Sequence, residues 1–415
     1  MNKVILSSVI DLISGGTPKT NISEYWDGDI GWLSVTDFNN DLRYVYESEK
    51  SITKLGIENS NTKFLEIGDI IISARGTVGA MSQIGFPMCF NQSCFGIRGK
   101  KEIVTTDYLY YALKNYIDNI IKRSHGSVFN TINLATFDLM EIEIHDTIPK
   151  QCKVTKILSD LDEKIELNNE INSKLEAVAK LIYDYWFMQF DFPDENGNPY
   201  QSSGGKMVYN EELKRDIPEG WSDGALSDLG EIVGGSTPST KNAANFVDHG
   251  TPWITPNDLS KNEGNKFITR GGQDITDTGV KSASLNLYPK NTVLLSSRAP
   301  IGYMAIARNE LTTNQGFKSF VPTKGYSSEF IFYTVKNAMK VIVQYSSGST
   351  FKEISGGVLK TVKIVLPKTE VVNKYIEIVS DVFEKQNMLE LESKELSDLR
   401  DWILPMLMNG QVKIK

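Results

Sequence analysis

The sequence predicts an α+β protein: two duplicated mixed α/β domains, each followed by a long helix. The two helices are expected to pair as an antiparallel coiled coil about a pseudo-twofold axis. Three observations carry this expectation. Unusual short motifs recur at an offset of 220 to 223 residues. The same succession of β-branched runs and one amphipathic helix follows each motif. Two glycine-free stretches with seven-residue apolar spacing close the copies.

Taken in order, each copy opens on a Gly-Gly-Thr-Pro-like turn, "SGGTPKT" at 14–20 and "GGSTPST" at 234–240. Glycine reaches φ > 0 and proline fixes φ, so both punctuate a tight loop. "GDIGWLSVTDF" (28–38) then aligns with "HGTPWITPNDL" (249–259), setting Trp32 opposite Trp253 and Asp37 opposite Asp258. "GDIIISARGTVGAMSQIG" (68–85) aligns with "KNTVLLSSRAPIGYMAIA" (290–307), so Arg75 meets Arg298 and Gly79 meets Gly302. Asn91-Gln92 meet Asn314-Gln315, and "DYLYYALK" (107–114) meets "EFIFYTVK" (329–336). A register held over some 130 residues is an internal duplication. Helices are expected near 106–124 and 327–345, each behind a Thr or Ser N-cap. A Gly-Ser loop and a last strand, "LMEIEI" or "TVKIVL", end each copy.

Residues 151–188 and 371–408 carry the heptads. Leu158, Leu161, Ile165, Leu175, Ala179, Ile182 and Trp186 fall on one seam. Val379, Val382, Leu389, Leu396, Ile403 and Leu407 fall on the other. Asn168, Asn172, Gln386 and Ser393 interrupt them, as polar seam residues that set register and partner choice do. A helix of ~37 residues spans ~55 Å. Two heads on such a spacer reach sites about one duplex turn apart, ~34–36 Å.

A chain of 415 residues exceeds one ordinary domain. The expected boundaries are 1–150 for the first domain, 151–190 for its helix, 191–223 for a linker, 224–367 for the second domain and 368–415 for its helix. No apolar run approaches the ~18 residues of a membrane span. Asp11 argues against reading "MNKVILSSVIDL" as a signal peptide. Three cysteines, Cys89, Cys94 and Cys152, make no disulfide framework and suit a reducing cytoplasm. The first two are expected in buried apolar roles on one strand. The net charge of −8 hides an asymmetry. Residues 1–150 hold 14 basic and 18 acidic groups, residues 224–367 hold 15 and 10, and residues 191–223 hold 3 and 8. The second repeat is therefore the basic one, and more of any phosphate contact is expected there.

These features resemble the specificity (S) subunit of a type I restriction–modification system. The resemblance rests on the duplicated turns with their following Trp, on "SARGTVG" and "SSRAPIG", and on the paired Asn-Gln. It extends to "YDYWFMQFDFPDENGNPYQSSGGKMV" (183–208) and "LSDLRDWILPMLMNGQV" (396–412) at the helix ends, and covers the whole chain. It implies two target recognition domains, each reading half of a bipartite asymmetric site in double-stranded DNA. It also implies a helical spacer that docks two methyltransferase (M) subunits, with restriction and translocase (R) subunits joining them. No chemistry is expected in the chain itself. S-adenosylmethionine, ATP and Mg²⁺ are expected on partner subunits, and no membrane is involved.

The residues agree with that absence of chemistry. There is no Gly-x-Gly, no Pro-Pro and no P-loop spelling. Three scattered His offer neither a metal set nor a Ser-His-Asp constellation. Pro193-Asp194 with Glu212-Leu213-Lys214 imitates a PD…ExK nuclease pattern, where two carboxylates hold Mg²⁺. It falls in a turn-rich stretch unsuited to rigid ligands and is read as a solvated acidic linker.

Arg, Lys, Asn and Gln are the side chains that pair with base edges, while phosphate contacts supply affinity. The candidate DNA-binding residues are Lys122, Arg123, Ser127 and Asn130 around the first Gly-Ser loop, and Gln344, Ser349 and Lys352 around the second. Thr36, Asp37, Asn39 and Asn40 follow Trp32. Asn257, Lys261 and Asn262 follow Trp253. Arg75 and Arg298 end apolar strands, where pairing within the fold competes with DNA contact. Features common to both copies are expected to build the scaffold, and divergent loops to choose the bases. Two other readings fit the residues: a specificity module of another methyltransferase assembly, and a two-headed ligand-binding scaffold without DNA.

Overall fold

A computed structural model describes residues 1–40, 42–123, 131–298, 300–346 and 353–412, with the backbone alone for 121–123. Four helices organise the chain: α1 (Thr106–Arg123), α2 (Ile148–Tyr183), α3 (Ser328–Gln344) and α4 (Thr369–Met408). The chain divides into two compact units, residues 1–167 with 392–415, and residues 168–391.

In the first unit a five-stranded sheet runs in the order Ile10–Ser14, Cys94–Gly99, Ile70–Ser73, Met81–Ile84, Tyr44–Val45. Its last pair is parallel and the others antiparallel. The central strand, IIIS, is buried at every position, which its unbroken β-branched run requires. A smaller sheet orders Lys50–Ile52, Trp26–Leu33 and Cys89–Phe90, with the last two parallel. Cys89 and Cys94 are both buried but lie on two strands, not one, because the Asn91–Ser93 turn separates them. Burial raises their thiols to about 11 and about 12. Cys152, on α2, is exposed.

The second unit repeats the plan. Its five strands run Glu231–Val233, Ser319–Val321, Val293–Ser297, Ile301–Ala307, Phe267–Ile268, again with only the last pair parallel. Thr251–Ile254 again runs parallel to a two-residue partner, Thr312–Thr313. The caps expected from the sequence are present: Thr105 Oγ1 accepts from Tyr108 N at 3.2 Å and Ser327 Oγ from Phe330 N at 3.4 Å.

Both long helices form, and each expected seam residue is buried or half-buried. Within the first unit the pairing is antiparallel. Leu158 shares a core with Leu404 and Leu407, Asp162 meets Arg400, and Lys164 meets Glu392 at 3.4 Å. Within the second unit it is antiparallel again. Gln386 Nε2 donates to Asn172 O at 3.4 Å, while Ala179 and Tyr183 share a core with Tyr375 and Val379. After α2 one π turn, Asp184–Met188, brings both Trp186 and Phe187 into that core.

Residues 191–223 are more than a solvated linker. Phe192 stacks on Tyr200 and on Trp221, with centroids 4.7 and 5.0 Å apart. A hairpin pairs Met207–Asn210 with Arg215–Pro218. Phe190, Phe192, Ile217 and Trp221 join the core that holds Trp186 and Phe187. Asp191 is buried and accepts from Ser202 N at 2.7 Å, while Glu195, Glu211, Glu212, Asp216 and Glu219 are exposed and mask this apolar content in a composition count.

Candidate nucleic-acid interface

The recurring turn is a scaffold piece. In the first unit Trp32 Nε1 donates to Gly16 O at 3.0 Å, Thr17 Oγ1 donates to Gln92 Oε1, and Gly16 N donates to Phe90 O at 3.0 Å. In the second, Trp253 Nε1 donates to Ser236 O at 3.2 Å, Thr237 Oγ1 to Gln315 Oε1, and Ser236 N to Thr313 O at 3.0 Å. A Cβ on Gly15 would lie 2.1 Å from Asn91 O, and one on Gly235 2.0 Å from Thr313 O. Only glycine lets the turn lie this close to the neighbouring backbone. Asn91 Oδ1 and Asn314 Oδ1 each cap the next turn, accepting from Ser93 N at 2.9 Å and Gly316 N at 2.8 Å.

Other residues common to both copies are also engaged internally. Asp37 accepts from Ser34 N at 2.6 Å and Glu49 N at 2.8 Å. Asp258 accepts from Thr255 N at 2.8 Å and Gly272 N at 2.9 Å. Asn262 Nδ2 donates to Phe267 O at 3.1 Å, so Asp37 and Asn262 serve the fold. Thr36, Asn39, Asn40, Asn257, Lys261 and Gln344 are exposed. Arg75 is exposed in the turn after its strand, whereas Arg298 lies 3.9 Å from the Glu353 carboxylate. Lys122 and Arg123 are the last residues of α1. Ser127, Asn130, Ser349 and Lys352 lie outside the described residues.

Asn39 and Asn40 are brought together with side chains from α1. They line a cavity of about 340 Å³ with Ala80, Tyr110, Lys114 and Asp118.

The nuclease-like residues are otherwise occupied. Asp194 Oδ1 accepts from Asn196 N and Asn198 N, both at 2.8 Å, Glu212 lies 3.4 Å from Lys363, and Lys214 3.2 Å from Glu211. Among the described residues no group of three or more His, Cys, Asp or Glu is placed to hold a metal.

Sequence reasoning missed the buried charges that tie each sheet to the helices. In the first unit Arg43 is 3% exposed and donates to Gln83 at 2.7 Å and Asp107 at 2.8 Å. Its guanidinium lies 4.8 Å from the Tyr44 ring centroid and 5.1 Å from that of Tyr111. Tyr111 donates to Asp162 of α2, which also pairs with Arg400 of α4 at 2.6 Å. At the matching point of the second unit stands Lys266. It meets Glu176 of α2 at 2.6 Å, Gln386 of α4 at 2.7 Å and Tyr333 at 3.0 Å. Glu390 of α4 accepts from Lys266 N at 2.7 Å, from Phe267 N at 3.1 Å and from Arg308. The one signal available was a basic residue ahead of an aromatic one, Arg43-Tyr44 and Lys266-Phe267, at one offset.

Burial is the larger effect on Lys266 and pulls its ammonium down to about 8. Burial alone would raise the Glu176 carboxyl, but the ammonium groups of Lys266 and Lys336 outweigh it and hold it at about 2, below its usual 4.5. A depressed carboxyl adds stability that is fully present above the usual value and is lost as pH falls through the folded one. Unfolding measured from pH 5 to pH 2 is therefore expected to show an acid loss that Glu176→Gln reduces. An unchanged acid slope would refute this assignment.

The sequence model of a family described as the type I restriction modification DNA specificity domain matches residues 1–177 and again 218–397. The type I restriction enzyme MjaIX specificity subunit of Methanocaldococcus jannaschii is 43% identical over 198 residues, 45% of this chain and 45% of that protein. This chain thus covers less than half of that relative's length. The HindI specificity subunit of Haemophilus influenzae is 25% identical over 342 residues, 71% of this chain and 73% of that protein. The crystal structure of a type I restriction–modification S subunit from M. genitalium superposes with a TM-score of 0.53 at 15% identity. It covers 98% of this chain and 95% of that one, and supports the fold.

Proposed function

Because the chain belongs to the type I restriction–modification DNA specificity family, we propose that each of its two repeats reads one half of a bipartite, asymmetric DNA target. The chain is a specificity subunit, a component for DNA recognition and not an enzyme in its own right; it binds DNA and assembles with other subunits. The reading goes further. Recognition domains occupy 1–150 and 224–367. The helices within 151–190 and 368–415 set the gap between half-sites and dock two methyltransferase subunits, to which the restriction subunits add. Residues 191–223 join the halves. S-adenosylmethionine, ATP and Mg²⁺ belong to those partners. No described helix is long and apolar enough to cross a membrane, and a cytoplasmic setting accords with the free thiols.

The observation that carries the proposal is the repetition of the five-strand order and its parallel edge in two units that differ in their exposed loops. Shared turns hold the scaffold; Thr36, Asn39 and Asn40 in one copy, and Asn257 and Lys261 in the other, stand free to differ. Lys122, Arg123, Ser127, Asn130, Gln344, Ser349 and Lys352 extend the same readout, with Arg75 and Arg298 as further contacts. The test is co-expression with the cognate methyltransferase subunit and sequencing of the modified genome. A bipartite motif with a fixed gap is expected, and replacing residues 1–150 with those of another subunit changes one half only. A motif that changes in both halves, or a continuous one, refutes the reading.

A further inference from the structure

The cavity beside Asn39 and Asn40 has a counterpart position in the second unit, and the two have diverged. Gly79 aligns with Gly302, and both take positive φ, 90° and 105°. The next residue is Ala80 in the first copy and Tyr303 in the second. Ala80 leaves open about 340 Å³. Tyr303 instead reaches toward the short helix Pro256–Lys261, where its hydroxyl lies 3.5 Å from Ser260 Oγ, the residue at the place of Asn39. Lys114, on α1, lines the cavity, whereas its aligned partner Lys336 is turned to Glu176 at 2.9 Å. Asp118 is replaced by Lys340. Gly79 and Met81, on either side of Ala80, recur as Gly302 and Met304 on either side of Tyr303, so the backbone plan is kept while the side chain between them changes.

We propose that the groove of the first domain receives the edge of a nucleobase from the DNA, and that the Ala80/Tyr303 difference makes the two domains read different half-sites. This deepens the specificity reading and rests on it. The amides of Asn39 and Asn40, and the ammonium and carboxylate of Lys114 and Asp118 on α1, share the lining with the buried Tyr110 and with Leu42, Met81 and Ile117. Base edges present donors and acceptors side by side, and this lining answers both. A phosphate presents acceptors only, and Asp118 would repel it. A volume of about 340 Å³ is at the small end for a ligand pocket and suits the edge of a single base.

The experiment uses the full chain in complex with its methyltransferase subunit, and duplexes carrying the intact target or one scrambled half. Ala80→Tyr places in the groove the side chain that the second copy carries at this position. Binding to the intact target is expected to fall about ten-fold. Scrambling the first half then weakens Ala80→Tyr less than it weakens wild type, while scrambling the second half weakens both equally. Lys114→Gln, which removes charge without filling space, is expected to shift the same half in the same direction. Unchanged binding by both variants overturns the proposal, as does an equal loss of discrimination at both halves. A wild-type complex indifferent to either scrambling would instead refute the specificity reading itself, and the proposal with it.

Discussion

Arg400→Met is expected to destabilise the first unit by about 3–5 kcal/mol, the usual consequence of removing one partner of a buried ion pair. The Arg400 and Asp162 side chains are only 6% and 3% exposed, and they meet at 2.6 Å. Asp162 also accepts from the Tyr111 hydroxyl, so one carboxylate joins α1, α2 and α4. Without Arg400 it keeps a single neutral donor in a low-dielectric site. The double variant Asp162→Leu/Arg400→Met removes both charges and is expected to recover most of the loss, because the pair's attraction largely offsets its own desolvation. Denaturant unfolding of wild type, both singles and the double forms the test. Additive losses would mean that the two groups are not coupled.

The second large effect is expected at Glu390. Its side chain is 2% exposed, and burial pushes its carboxyl up while Lys266 and Arg308 oppose that rise. It satisfies two backbone N–H groups at the start of strand Phe267–Ile268, together with the guanidinium of Arg308. Glu390→Ala strands all three donors, each buried or nearly so, and about 3–5 kcal/mol of the second unit's stability goes with them. Glu390→Gln keeps the shape and one acceptor oxygen, and a smaller loss is expected. Amide exchange at residues 266–268 reports the effect locally: it should quicken by orders of magnitude in Glu390→Ala. Protection equal to wild type would show that the strand end is held by other means.

Both predictions concern residues that a reading of the sequence passes over. Periodicity finds a seam by its apolar members, so Leu158, Val379 and Leu407 were legible. Arg400 and Glu390 sit on the same buried faces but look like surface charges, because their partners lie 238 and 82 residues away in the chain. Asp37 and Asn262 erred the other way. Their residue types suit base contacts, but their polar atoms are consumed by local backbone donors and acceptors. The aromatic cluster of Phe192, Tyr200 and Trp221 was hidden by the acidic residues beside it.

The sequence by itself determined the duplication, the strand and helix succession, the glycine turns, the two heptad helices and the family. The strands, helices and turns are local patterns, set by φ/ψ preference or by the period of apolar residues and written within a few consecutive turns of chain, and the duplication and the family show in the order in which those patterns recur. Only the tertiary structure decided how Arg43 and Lys266 anchor each sheet to the helices, which carboxylates they face, and that Ala80 lines a groove while Tyr303, at the matching place, reaches toward Ser260. Those outcomes depend on which distant side chains share a buried volume, and burial and charge pairing between remote segments leave no period in the sequence.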